Sequence, residues 1–168
     1  MFLALGLTLP FLTGQIKQIG SMLLPMHLPV FLCALICGWP YGLAVGLILP
    51  VMRSLLFGMP PLYPVAVSMT FELATYAFVS GFLYEKINRH KIWAVYVSLI
   101  SAMLAGRAVW GIVQAILLGI GGNAFTFKAF MAGAFLNAFP GIILQLILIP
   151  AIMLALTKAK LVPINKRE

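Results

Sequence analysis

Acidic residues are almost missing from this chain: three of its 168 residues are Asp or Glu, and none is Asp. Charged residues together make up 8% of the sequence, whereas soluble domains carry about 25%. A chain with two His and no Asp offers no Ser-His-Asp or HExxH arrangement, and it also lacks the phosphate-binding loop GxxxxGK[ST]. These absences exclude a soluble domain and argue against an enzyme.

Cysteine is scarce as well. Cys33 and Cys37 are four residues apart, which places them on one face of an apolar helix. Buried cysteines of this kind usually behave as small hydrophobic side chains. A metal site would need further ligands, and His27 is the only candidate nearby. No metal site is therefore predicted.

Apolar residues dominate the composition instead. The hydrophobic fraction is 63% and the mean hydropathy is +1.11, which indicates an integral membrane protein. Because one span takes about 20 residues, the chain has room for five or six spans and no large soluble domain. We predict an all-α fold, a single transmembrane domain built as a six-helix bundle. The predicted spans are 1–12, 27–38, 41–57, 62–84, 92–120 and 127–156.

The basic residues predict the orientation. With six spans and a cytoplasmic N-terminus, the 85–91 loop and the C-terminal tail hold seven of the eleven Lys and Arg, while the opposite loops hold Lys17 and Lys128. Positive charge concentrates on the cytoplasmic side of membrane proteins. We therefore expect both termini in the cytoplasm. The net charge of +8 reflects this bias, and a nucleic-acid partner is not expected.

Polar side chains inside the spans suggest a binding site. Arg53, Glu72, Arg107 and Asn137 fall at similar depths, in the outer half of the membrane or near its middle. Each charge would cost about 2.5–3.5 kcal/mol in lipid, so these groups should face inward. Two Arg against one Glu leave a surplus positive charge, which suits a small carboxylate. The predicted ligand-binding residues are Arg53, Glu72, Arg107, Trp110, Gln114 and Asn137. In an alternative interpretation, Arg53 and Glu72 form a purely structural ion pair.

Two further patterns surround this site. Gln15, His27 and Pro60 are predicted gate or lid residues, with His27 at the outer interface. Small residues also recur every four positions, as at Gly42 and Gly46, and would let helices approach closely within the chain or against another subunit.

Four segments carry a family resemblance: 10–15 (PFLTGQ), 23–29 (LLPMHLP), 53–61 (RSLLFGMPP) and 71–76 (FELATY). With the six-helix length, they make the chain similar to the substrate-binding S components of energy-coupling factor (ECF) vitamin transporters. The resemblance implies a bacterial plasma-membrane subunit that captures a vitamin outside and docks to a coupling subunit driven by two ATPases. It implies no cofactor in this chain, since the partners use ATP.

The resemblance also implies a pocket at the outer ends of helices 4, 5 and 6. Glu72, Arg107, Trp110 and Asn137 match that placement, and Arg53 would lie at its rim. The small-xxx-small docking motif of helix 1 is reduced here to Ala4 and Thr8. Among ligands, pantothenate is favoured because it is small, anionic and rich in hydroxyl groups. Pyridoxine, a thiamine precursor, a queuosine precursor and cobalamin stay open, as does a structural or pore-forming membrane subunit without a ligand.

Overall fold

A computed structural model describes residues 1–12, 25–87, 92–120, 131–132 and 138–159. Helices account for almost all of these residues. A π-helical turn, Leu62–Ala66, leads directly into the fourth helix. The six α-helices of the described part are α1 (Phe2–Leu12), α2 (His27–Cys37), α3 (Trp39–Phe57), α4 (Val67–Ile87), α5 (Ile92–Ile120) and α6 (Phe139–Lys158).

Proline and glycine explain several helix ends. Pro40 and Pro140 lie in the first turns of α3 and α6, where a missing N–H costs nothing. The α3 helix therefore includes Trp39, which the sequence had assigned to a turn. Likewise, α6 begins at Phe139, and most of the predicted sixth span before it lies outside the described residues. Gly58 ends α3 with a left-handed conformation and donates its N–H to the Ser54 carbonyl, a common helix C-terminus.

Length and composition make the helices suitable for a membrane. Four segments of the described chain are long and apolar enough to cross one: Trp39–Phe57, Leu62–Ile87, Ile92–Ile120 and Phe139–Lys158. The α1 and α2 helices are apolar but shorter. Large apolar side chains cover the outside of the bundle, including Leu55, Ile112 and Ile147, as expected where lipid is the solvent. The prediction of an all-helical membrane bundle is confirmed.

The α4 helix lies at the centre of the described bundle. It packs most extensively against α5 and α3, and it also contacts α2. Close approach between α3 and α4 depends on Gly46, since a Cβ atom there would lie 2.8 Å from the Leu73 carbonyl oxygen. Similarly, a Cβ atom at Gly42 would lie 2.6 Å from the Cβ atom of Ala34 in α2. These two small residues of α3 are thus used for contacts within the chain.

Candidate functional site

Glu72 is the centre of a buried polar cluster. It lies on α4 with 2% of its surface exposed. Three side chains approach a single carboxylate oxygen, Oε1. The Tyr76 hydroxyl donates a hydrogen bond to it over 2.7 Å, Arg107 Nη1 lies 3.1 Å away, and His27 Nε2 lies 3.7 Å away. One oxygen thereby connects α2, α4 and α5.

Helix geometry brings these groups together. Tyr76 follows Glu72 by four residues, so both side chains lie on the same face of α4. Gly106 precedes Arg107 on α5, and a Cβ atom at Gly106 would overlap the Tyr76 ring. Because α5 carries no side chain at that point, it approaches α4 closely enough for the guanidinium of Arg107 to reach Glu72.

Arg107 keeps part of its guanidinium available. Nη1 contacts Glu72, whereas Nε and Nη2 are buried and have no hydrogen-bond partner within the described residues. Nε–H and the neighbouring Nη2–H point in parallel and form one edge of the planar group, a fork that matches a carboxylate. Leaving a buried charged donor unpaired costs about 1–3 kcal/mol or more. Within the described structure, this edge is therefore able to donate two further hydrogen bonds.

Arg53 takes part in a different set of contacts. Its Nη1 donates to the Leu7 carbonyl over 3.2 Å, and its guanidinium lies 5.9 Å from the Phe11 ring and 5.8 Å from the Phe57 ring. These contacts join α3 to α1. The alternative pairing of Arg53 with Glu72 is not what forms, because Arg107 occupies that place. The expected surplus of two Arg beside one Glu is consequently not gathered in one cluster.

Two more predicted residues lie on α5 beyond Arg107. Trp110 is one turn further along and partly buried. Gln114 follows one turn later, and its Oε1 is a buried acceptor with no hydrogen-bond partner among the described residues. Both residues lie further along α5, in the direction of the Val67 end of α4. Their roles in ligand binding stay predictions.

The predicted gate residues have varied positions. His27 is 1% exposed and lies against Glu72, so it belongs to the interior of the cluster; its place at the outer interface and its role in a gate stay predictions. Pro60 lies in the turn after α3, where its carbonyl accepts a hydrogen bond from Ser54 Oγ over 2.7 Å. Gln15 and Asn137 fall outside the described residues.

Tyr76 is the functional candidate that sequence reasoning missed. The signal was available, because Tyr76 follows Glu72 at the i, i+4 spacing of neighbours on a helix face. Its ring stacks on Phe31 of α2 with centroids 5.0 Å apart. An apolar aromatic contact of that kind is invisible in a sequence until the helices are placed.

The described part of the chain shows one groove elsewhere, of about 440 Å³, between α1, α2 and α3. Cys33, Cys37 and Tyr41 are among its lining residues, and the lining is almost entirely apolar. No group of three or more His, Cys, Asp or Glu side chains capable of holding a metal ion occurs in the described ranges. The polar cluster around Glu72 is thus the better candidate for recognition of a charged ligand.

Fold and site together define a multi-pass membrane protein with a buried ion cluster. A family model described as "ECF transporter, substrate-specific component" matches residues 1–153. The chain belongs to this family, and the resemblance drawn from its four segments is confirmed. Searches of curated proteins and of solved structures gave no match.

Family membership has direct consequences. The chain is a substrate-specific subunit of an ECF transporter, and members of this family are transporter subunits and not enzymes. Membership also implies docking with an ECF module of coupling and ATPase subunits. The alternative of a structural membrane subunit without a ligand is correspondingly disfavoured.

Proposed function

We propose that this S component captures a small water-soluble vitamin that carries a carboxylate, with pantothenate as the first candidate. The observation that carries the proposal is the free edge of Arg107, two buried N–H groups with no acceptor among the described residues. A ligand carboxylate would accept both hydrogen bonds at once.

Pantothenate suits the surroundings better than pyridoxine does. Pyridoxine carries no carboxylate and would leave the fork unpaired. The hydroxyl and amide groups of pantothenate could pair with Gln114 Oε1, a buried acceptor that lacks a donor within the described chain, and Trp110 offers an apolar face one turn from Arg107. A bundle interior that encloses a small ligand almost completely gives a route to high affinity.

Ligand access requires a change in the bundle. The Nε and Nη2 atoms of Arg107 are buried, so side chains around them must separate before a carboxylate can bind. The unpaired donors store part of the free energy that binding would recover, since each satisfied charged hydrogen bond contributes about 1.5–3 kcal/mol. Opening and binding would therefore be coupled.

The proposed transport cycle begins outside a bacterial cell. With both termini in the cytoplasm, as the distribution of Lys and Arg favours, the Glu72 cluster lies in the outer half of the membrane and receives the vitamin there. The loaded subunit then docks to the ECF module, whose ATPases power release inside. The chain itself uses no cofactor in this scheme.

Calorimetric titration of the purified protein tests the proposal. We expect pantothenate to bind, and panthenol, which has an alcohol in place of the carboxylate, to bind about 100-fold more weakly because two charged hydrogen bonds are lost. Arg107→Ala should weaken pantothenate binding to a similar degree. Arg53→Ala is the matched control, since it removes another buried guanidinium that contacts α1.

Equal affinity for the two compounds, or undiminished binding by Arg107→Ala, would rule out the carboxylate clamp. Mass spectrometry of small molecules that co-purify with the protein provides an independent identification. A vitamin without a carboxylate in that spectrum would overturn the choice of pantothenate while leaving the transporter class intact.

A further inference from the structure

We infer that Tyr76 is a positioning residue of the ligand site, acting through Glu72 to hold the free edge of Arg107 toward the ligand. The inference rests on the proposed function, because it assigns the Arg107 edge to a ligand carboxylate. Tyr76 itself does not contact the ligand in this scheme. It orients the Glu72 carboxylate, and that carboxylate orients the Arg107 guanidinium.

Tyr76 is held on several sides. It is 1% exposed, and its ring stacks on Phe31 at a centroid distance of 5.0 Å and lies 5.3 Å from the His27 ring. Gly106 of α5 covers another part of the ring. A side chain packed against α2 and α5 in this way has little rotational freedom, so the direction of its hydroxyl is set by the bundle.

The Tyr76 hydroxyl in turn restricts the orientation of the Glu72 carboxylate. Its hydrogen bond to Oε1, 2.7 Å long, is charge-assisted, and such bonds are about twice as strong as neutral ones. The same Oε1 receives Arg107 Nη1 at 3.1 Å. Because Glu72 occupies Nη1, the guanidinium presents Nε and Nη2 together, and those are the two atoms without a partner among the described residues. Without the hydroxyl, the Glu72 carboxylate could rotate and the guanidinium with it.

The test removes one oxygen. Tyr76→Phe keeps the ring, and therefore the contacts with Phe31 and Gly106, but deletes the donor to Glu72. Tyr84→Phe is the matched control, since it makes the same change at another buried tyrosine of α4. Both variants and the wild type are compared in melting temperature, in titrations with pantothenate and panthenol, and in the side-chain Nε–H resonance of Arg107, which Arg107→Lys identifies by its loss.

We expect Tyr76→Phe to weaken pantothenate binding by about tenfold, the equivalent of one charged hydrogen bond, while panthenol binding changes little. The preference for the carboxylate should therefore fall. The Nε–H resonance of Arg107 should shift or broaden in Tyr76→Phe and stay in place in Tyr84→Phe. An equal loss of both ligands, or an unchanged Arg107 resonance, would reduce Tyr76 to a structural role and overturn the inference.

The design separates the two proposals. If the wild type binds neither compound, the proposed ligand is wrong, and the Arg107 resonance alone decides whether Tyr76 orders the guanidinium. If pantothenate binds the wild type and Tyr76→Phe retains full preference for it, the proposed function stands and the positioning role is refuted.

Discussion

Breaking the pair between Glu72 and Arg107 should destabilise the bundle, and the size of the loss can be anticipated. Glu72→Gln leaves the Arg107 guanidinium buried without a counter-charge. In soluble proteins such a change costs about 3–5 kcal/mol, whereas polar contacts between membrane helices are worth about 0.6–2 kcal/mol. Because Oε1 accepts both Tyr76 and Arg107, we expect a loss near the upper membrane value, about 2 kcal/mol.

A double-mutant cycle isolates the pair itself. Arg107→Met removes the charge and leaves an apolar side chain of similar length, and it should cost a similar amount because Glu72 is then buried without its cation. The double variant should lose less than both single changes together, with a coupling free energy of about 1–2 kcal/mol. Reversible unfolding in mixed micelles, followed by the helical circular dichroism signal, measures all four proteins.

The second intramembrane arginine supplies the control cycle. Arg53 contacts α1 through Leu7, so Arg53→Met combined with Glu72→Gln should be additive within about 0.5 kcal/mol. Additivity in the Arg107 cycle would refute the ion pair as a determinant of stability. Equal coupling in both cycles would show that Glu72 responds to positive charge in general and not to Arg107 specifically.

Two further variants probe the contacts around this pair. Gly106→Ala should cost about 1–3 kcal/mol of stability through overpacking, because the new methyl group overlaps the Tyr76 ring, and it should weaken pantothenate binding. The control is Gly119→Ala, which meets open space on the same helix and should change stability by less than about 1 kcal/mol. Equal effects of the two variants in thermal unfolding would contradict the close approach of α4 and α5. Arg53→Ala should accelerate hydrogen exchange of the α1 amides while those of α4 stay protected, because the bond to the Leu7 carbonyl is lost, and unchanged exchange in α1 would show that its anchoring lies elsewhere.

The sequence was most informative about the charged side chains within the spans, because exposing a charge to lipid has a large free-energy cost. Glu72 and Arg107 were expected to face inward at similar depth because exposing either to lipid is costly, and they form an ion pair at 3.1 Å. Depth alone cannot say which helix faces are adjacent. For that reason the alternative interpretation could pair Arg53 with Glu72, whereas Arg53 lies beside two phenylalanine rings.

Local patterns were informative where they involve one helix and less so where they involve two. The spans of α3, α4 and α5 follow directly from apolar length, but Trp39 and the start of α6 depend on a proline being accepted in a first turn. His27 next to Pro25 suggested an interface. Its burial beside Glu72 follows from the packing of α2 on α4, which no sequence spacing encodes.

The contact at Gly46 bears on how the protein can move. The main chains of α3 and α4 touch there, with no side chain between them. Val45 and Leu47, on either side of Gly46, point to other faces of α3, so this tight contact depends on Gly46 staying opposite the Leu73 carbonyl. The two helices are therefore expected to move as a single unit, and a motion that admits a ligand has to come from their other neighbours.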